Sequence, residues 1–129
     1  MILVDTSVWV DYFRASDQHL TNHLLALLDE DQVVMAAPVK IEILSGSPRS
    51  EWVRLRRSLE ALPLLIPLDS TWERMEGWVE KAVRRGERFG VADLLIGALA
   101  AERDVELWSL DGDFVRMAKL GFIRLHERV

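Results

Sequence analysis

From Val91 to Ala101 every residue but one is apolar or glycine. A helix that is apolar on all sides has no face to offer water, so the chain must build layers around it. The pattern predicts such a helix over 90–102, buried at the centre of the fold. The exception is Asp93. A carboxylate there costs several kcal/mol unless a cation or hydrogen-bond donors compensate it. Its place in the first helical turn recovers only about 0.3–1 kcal/mol through the helix dipole. The balance favours a partner for Asp93, with a metal ion the strongest available; a purely structural aspartate is the alternative.

The rest of the chain supplies the layers. Short apolar runs alternate with segments of helical period, which predicts a parallel sheet covered on both faces. Strands are expected at 2–4, 33–36, 64–68, 106–109 and, after Gly121, at 122–125. Helices are expected at 7–14 with Ser7 as N-cap, at 17–29, at 38–44 after Pro38, and at 50–62. A long one follows a Ser70 cap and runs to about Arg85, and the last covers 112–120. No repeat, linker or low-complexity tract interrupts the 129 residues, so one domain spanning 1–129 is expected.

Two of these strands end in aspartate. Asp5 closes Ile2-Leu3-Val4, and Asp111 closes Leu107-Trp108-Ser109-Leu110. Ligands of open parallel sheets bind at that carboxyl edge, although either residue alone would serve as an N-cap. Glu42, between Ile41 and Ile43 in the short helix after strand two, faces the same edge unless it is simply solvated. Four segments thus each bring one carboxylate to one edge. Such a cluster persists only with cations, and an all-oxygen donor set suits Mg2+ or Mn2+. Those ions activate water and stabilise the leaving oxygen of a phosphodiester. Thr6, Ser7 and Ser109 add hydroxyls beside the cluster, with capping and turn formation as the plainer role. Asp113 is either a fifth, outer carboxylate or a first-turn residue favoured by the helix dipole; Asp11 reads as a solvated or packing residue.

The charge balance does not oppose a phosphodiester substrate. The net charge is −5, but four clustered carboxylates account for most of it. Arginines gather at 49, 54, 56 and 57 and again at 84, 85 and 88, and the planar guanidinium suits phosphate; solvated helix faces explain the same clusters. With no cysteine, disulfides, thiolate sites and thiol nucleophiles are excluded. Met1–Val4 lacks the features of a secretory leader. The longest apolar stretch, 94–101, is far below the roughly 18 residues of a membrane span. A cytoplasmic protein is expected.

The motifs in order resemble those of the PIN-domain nucleases, specifically the VapC-type toxins of toxin–antitoxin pairs. Val4-Asp5-Thr6-Ser7-Val8-Trp9 is similar to the first motif and Glu42 to the lone helical glutamate. Val91-Ala92-Asp93-Leu94-Leu95-Ile96 resembles the third motif, and Ser109-Leu110-Asp111-Gly112-Asp113-Phe114 the last. Ser109 stands where such proteins commonly carry threonine, and the hydroxyl is retained. The resemblance implies a three-layer α/β/α sandwich with a mainly parallel sheet of four or five strands. It further implies a metal-dependent endoribonuclease that forms homodimers and is held by a small antitoxin protein. A PIN-like processing nuclease without antitoxin, and a PIN domain that binds RNA or protein without cutting, are the alternatives.

Other signals are weaker. A haloacid-dehalogenase-like phosphatase needs a second aspartate two residues after Asp5, where this chain has Ser7. His19 and His23 have a zinc-compatible spacing but no acidic companion in an HExxH pattern, so a surface pair is expected. His126 has no visible partner in the sequence. Of five tryptophans, Trp9 and Trp108 are expected in the core. One or two of Trp52, Trp72 and Trp78 are expected to anchor a dimer or an antitoxin.

Overall fold

The computed structural model describes residues 1–127; the last two positions of the expected domain lie outside the described residues. Four strands, β1 (Ile2–Val4), β2 (Val33–Ala36), β3 (Leu64–Leu65) and β4 (Glu106–Trp108), form a parallel sheet among them in the order β3-β2-β1-β4. β1 is therefore central, with Leu3 opposite Val34 on one side and Leu107 on the other. Every residue of β1 and β2 is buried, which requires cover on both faces and explains their uninterrupted apolar sequence. The helices are α1 (Thr6–Arg14), α2 (Gln18–Asp29), α3 (Ala37–Ser45), α4 (Trp52–Glu60), α5 (Asp69–Arg84), α6 (Val91–Glu102) and α7 (Gly112–Lys119). No helix of the described residues is long and apolar enough to cross a membrane.

Four local expectations are corrected. Asp5 rather than Ser7 caps α1: its side chain accepts from the Ser7 backbone N–H, and Ser7 lies inside the helix. At α5 the helix opens at Asp69. The Thr71 hydroxyl there accepts from the Leu68 N–H, while Ser70 bonds Glu102 instead. The expected fifth strand contributes one parallel bridge, Leu107 with Leu125. Its residues Phe122 and Ile123 turn into the core, where Phe122 stacks on Trp78 with ring centroids 4.5 Å apart. β3 likewise stops at Leu65 rather than reaching Leu68.

The all-apolar helix is central only in part. Leu94, Ile96 and Gly97 to Ala100 are buried, but Val91 at its start is 69% exposed. Gly97 marks the closest approach: a Cβ there would meet Met117 Sδ at 3.1 Å and Trp78 Cζ3 at 3.3 Å. Of the tryptophans, Trp9, Trp78 and Trp108 are core residues, while Trp52 and Trp72 are exposed. The histidines pair differently from expectation. His23 Nε2 lies 2.9 Å from His126 Nε2, and His126 Nδ1 lies 2.9 Å from Glu106 Oε1. This knot ties α2 and the chain's end to the first residue of β4 and packs against Trp108.

Candidate metal centre

Because all four strands run the same way, the segments that leave β1, β2 and β4 emerge on one edge of the sheet. Asp5 follows β1 directly and is 5% exposed. Its backbone N–H donates to Trp108 O at 2.9 Å, which locks the ends of β1 and β4 together. Its Oδ2 accepts from the Ser7 hydroxyl at 2.8 Å and from the Ser109 hydroxyl at 2.7 Å. Both serines also take backbone protons from the next turn, Leu110 N–H to Ser7 and Asp111 N–H to Ser109, each at 3.0 Å. A buried carboxylate is tolerable here because charge-assisted hydrogen bonds replace its water. The hydroxyls thus orient Asp5 and shape the turn that presents Asp111.

Asp111 caps α7 by accepting from the Asp113 N–H at 2.9 Å. The cap leaves Asp111 and Asp113 in the first turn, on the side facing the start of α6. One carboxylate oxygen each from Asp93, Asp111 and Asp113 lies within 4.8 Å of the others. Loss of hydration pushes the Asp93 carboxyl up to about 6. The adjoining Asp113 carboxyl and the charges of Asp111, Asp113 and Asp5 push it the same way. Asp113 is held below its ordinary value, chiefly by a hydrogen bond from Arg116. Glu42 is an exposed residue whose carboxyl is locally shielded; that shielding and the Asp5 charge raise its pKa against the Thr6 hydroxyl, which donates to Oε1 at 3.2 Å.

The structure therefore brings Asp93 and Asp111 together as the sequence suggests and adds Asp113 to them. Asp5 and Glu42 stand outside that tight group but act on it: the charge of Asp5 raises both Asp93 and Glu42. The strongly buried carboxylate is Asp5, not Asp93, whose helix starts at the surface. Arg116 escaped the sequence reading. Its guanidinium reaches Asp113 Oδ1 at 2.7 Å, also pairs with Glu87, and sits 4.6 Å from the centroid of the Phe89 ring. The one signal for it was its spacing, three residues after Asp113, at which helix side chains meet.

The group can hold a metal ion, and its chemistry fits a divalent one. Three converging carboxylates of like charge cannot all stay ionised cheaply without a cation, and their donors are hard oxygens. Asp11, by contrast, lies elsewhere on α1 and accepts from the Ser16 hydroxyl at 2.6 Å.

Residues 2–120 match the family model described as PIN domain. Ribonuclease VapC11 of Mycobacterium tuberculosis is 35% identical over 125 residues, covering 93% of this chain and 93% of that protein. Among solved structures, VapBC2 from Rickettsia felis, bound to a DNA fragment from their promoter, aligns with a TM-score of 0.78. The identity there is 18%, over 98% of each chain. A toxin-antitoxin complex from Klebsiella pneumoniae aligns with a TM-score of 0.76 at 17% identity over 100% of each. At such identities the two structures speak for the fold alone, whereas the family model and the mycobacterial relative speak for descent. This chain belongs to the PIN-domain family.

Proposed function

We propose that this protein is a Mg2+- or Mn2+-dependent endoribonuclease and the toxin of a toxin–antitoxin pair. The observation that carries the reading is the convergence of Asp93, Asp111 and Asp113 within 4.8 Å at the carboxyl edge of the sheet. Asp5, Asp93, Asp111 and Glu42 form the proposed catalytic and metal-holding set, with Asp113 as a further ligand. A divalent cation held by these residues would polarise a phosphodiester oxygen and make water more acidic. Ser7 and Ser109 keep Asp5 oriented through Oδ2. Glu42, with its carboxyl raised above the ordinary value and Oε1 engaged by Thr6, is suited to take a proton from attacking water at Oε2.

Metal-free ribonucleases recruit the 2′-hydroxyl of RNA and usually need imidazoles as base and acid. Here His23 and His126 pair with each other and His126 pairs with Glu106, at the far end of β4 from the cluster, while His19 is exposed on α2. Water is therefore the proposed nucleophile, with products bearing a 5′-phosphate and a free 3′-hydroxyl. End-group analysis of a cleaved oligoribonucleotide checks this, with and without EDTA and with a 2′-deoxy group at the cut. A 2′,3′-cyclic phosphate end, or cleavage that persists in EDTA, would rule the mechanism out.

The proposed partner is a small antitoxin, in the cytoplasm. An open groove of about 380 Å3 between α1 and α4 supports it; Trp9, Tyr12, Phe13, Leu55 and Leu59 line it, the kind of surface that receives an amphipathic segment. Expressed alone, the protein should arrest growth, and co-expression with a small antitoxin encoded beside it should yield a complex. Harmless overexpression with no bound partner would favour a processing nuclease, and inert protein on every RNA a binding domain that does not cut.

A further inference from the structure

Arg116 joins two parts of the chain that the backbone leaves independent. Its Nη2 donates to Asp113 Oδ1 at 2.7 Å, and its Nη1 pairs with Glu87 in the turn between α5 and α6. Both nitrogens lie 3.4 Å from the Arg88 carbonyl oxygen, and the guanidinium covers the Phe89 ring. That turn runs through Gly90 into α6, whose third residue is Asp93. Asp93 and Asp113 thus sit on different helices, and one side chain grips both the lead-in to the first helix and the carboxylate on the second.

We infer that Arg116 is a positioning residue for the metal centre, setting the gap between Asp93 and Asp113 and leaving one Asp113 oxygen for the cation. This rests on the metal-dependent reading above. The need for arginine is geometric: a planar fork reaches a carboxylate, a second carboxylate and a carbonyl while its centre sits over an aromatic ring. Partners that orient metal ligands typically change metal affinity by roughly 10- to 100-fold when removed. A phosphate-binding arginine would act differently, on RNA affinity alone.

The test compares wild type, Arg116→Ala, Arg116→Lys and Asp113→Asn, singly and with Arg116→Ala added to Asp113→Asn. Mn2+ affinity is measured by calorimetry, kcat and KM with an oligoribonucleotide at saturating metal, and folding by a thermal melt in EDTA. Arg116→Ala should weaken Mn2+ binding roughly tenfold or more and leave KM within about a factor of two. Arg116→Lys should fall between it and wild type, and the alanine should cost less than it does in the wild type once Asp113 is Asn. If Arg116→Ala does not fold, the lysine variant decides on the same two readouts. Unchanged Mn2+ affinity with a raised KM would overturn the inference and make Arg116 a substrate contact. Wild type that neither binds Mn2+ nor needs it would instead overturn the metal-dependent reading itself.

Discussion

Asp93 ionises reluctantly, and the direction of its shift fixes how stability depends on pH. Its carboxyl is raised to about 6 in the folded protein, above the roughly 3.9 of an unfolded chain. Below about pH 4 the group is neutral in both states and costs nothing. Between about pH 4 and 6 the unfolded chain ionises first, so the metal-free fold loses stability, and above pH 6 the full cost is present. Allowing for solvent screening of a partly exposed group, that cost is about 1–2 kcal/mol. Asp93→Asn should therefore raise the melting temperature in EDTA by roughly 4–7 °C at pH 7.5 and hardly at all at pH 4. Melts of the two proteins at both pH values check this; equal gains at both would remove charge as the cause. With Mn2+ present the order should reverse, because only the wild type gains from the ion. At this scale the sequence announced Asp5, Asp93 and Asp111 by their positions after strands or inside an apolar run. It undervalued Asp113, whose membership depends on where α7 points relative to α6, and it missed Arg116, whose partners Glu87 and Phe89 lie far away in the chain.

Among the elements, α6 shows what a hydrophobic pattern does and does not encode. The run of apolar residues identified a helix with little solvated surface, and Leu94 to Ala100 is packed as expected apart from a partly open Leu95. The pattern could not tell that the first turn projects from the layers, because Val91 and Ala92 read the same whether covered or not. Gly97 is where that helix is held closest. Alanine gains about 1 kcal/mol in helix propensity over glycine, but crowding a filled core costs about 1–3 kcal/mol. Trp78 is fixed by its stack on Phe122, so only the flexible Met117 can yield. Gly97→Ala should thus lose about 1 kcal/mol net in urea unfolding, and the loss should shrink in a Met117→Ala background. An undiminished loss there would mean that the tryptophan, not the methionine, sets the limit. The capping corrections have one cause: several polar residues stand near each helix start, and only the neighbouring strand ends select which of them turns inward.

For the whole molecule, the sheet's edge is the feature with an outward consequence. β3 is an edge strand, and Leu64, Ile66 and Leu68 leave apolar side chains exposed, as does Trp72 at the start of α5. Edge strands with an apolar fringe invite pairing with a second chain, and we propose this fringe as the contact of a homodimer. Light scattering of the purified protein should give twice the chain mass, and Leu68→Asp should halve it without lowering the melting temperature of the monomer. A wild type that remains monomeric at high concentration would exclude the assignment. Strand alternation with helices made the parallel α/β architecture readable in advance. The fringe was not readable, because an exposed leucine and a buried one are the same letter until the layers are placed.

The central position of β1 has a further consequence, for a chain still being made. Its first strand is completed on one side by β2 but on the other by β4, and the Ser109 hydroxyl that orients Asp5 lies 104 positions later. Asp111 and Asp113 come later still. β1 is therefore synthesised well before its last neighbour, and the acidic cluster cannot close until β4 and the start of α7 have followed. The proposed metal centre therefore does not exist at any earlier codon.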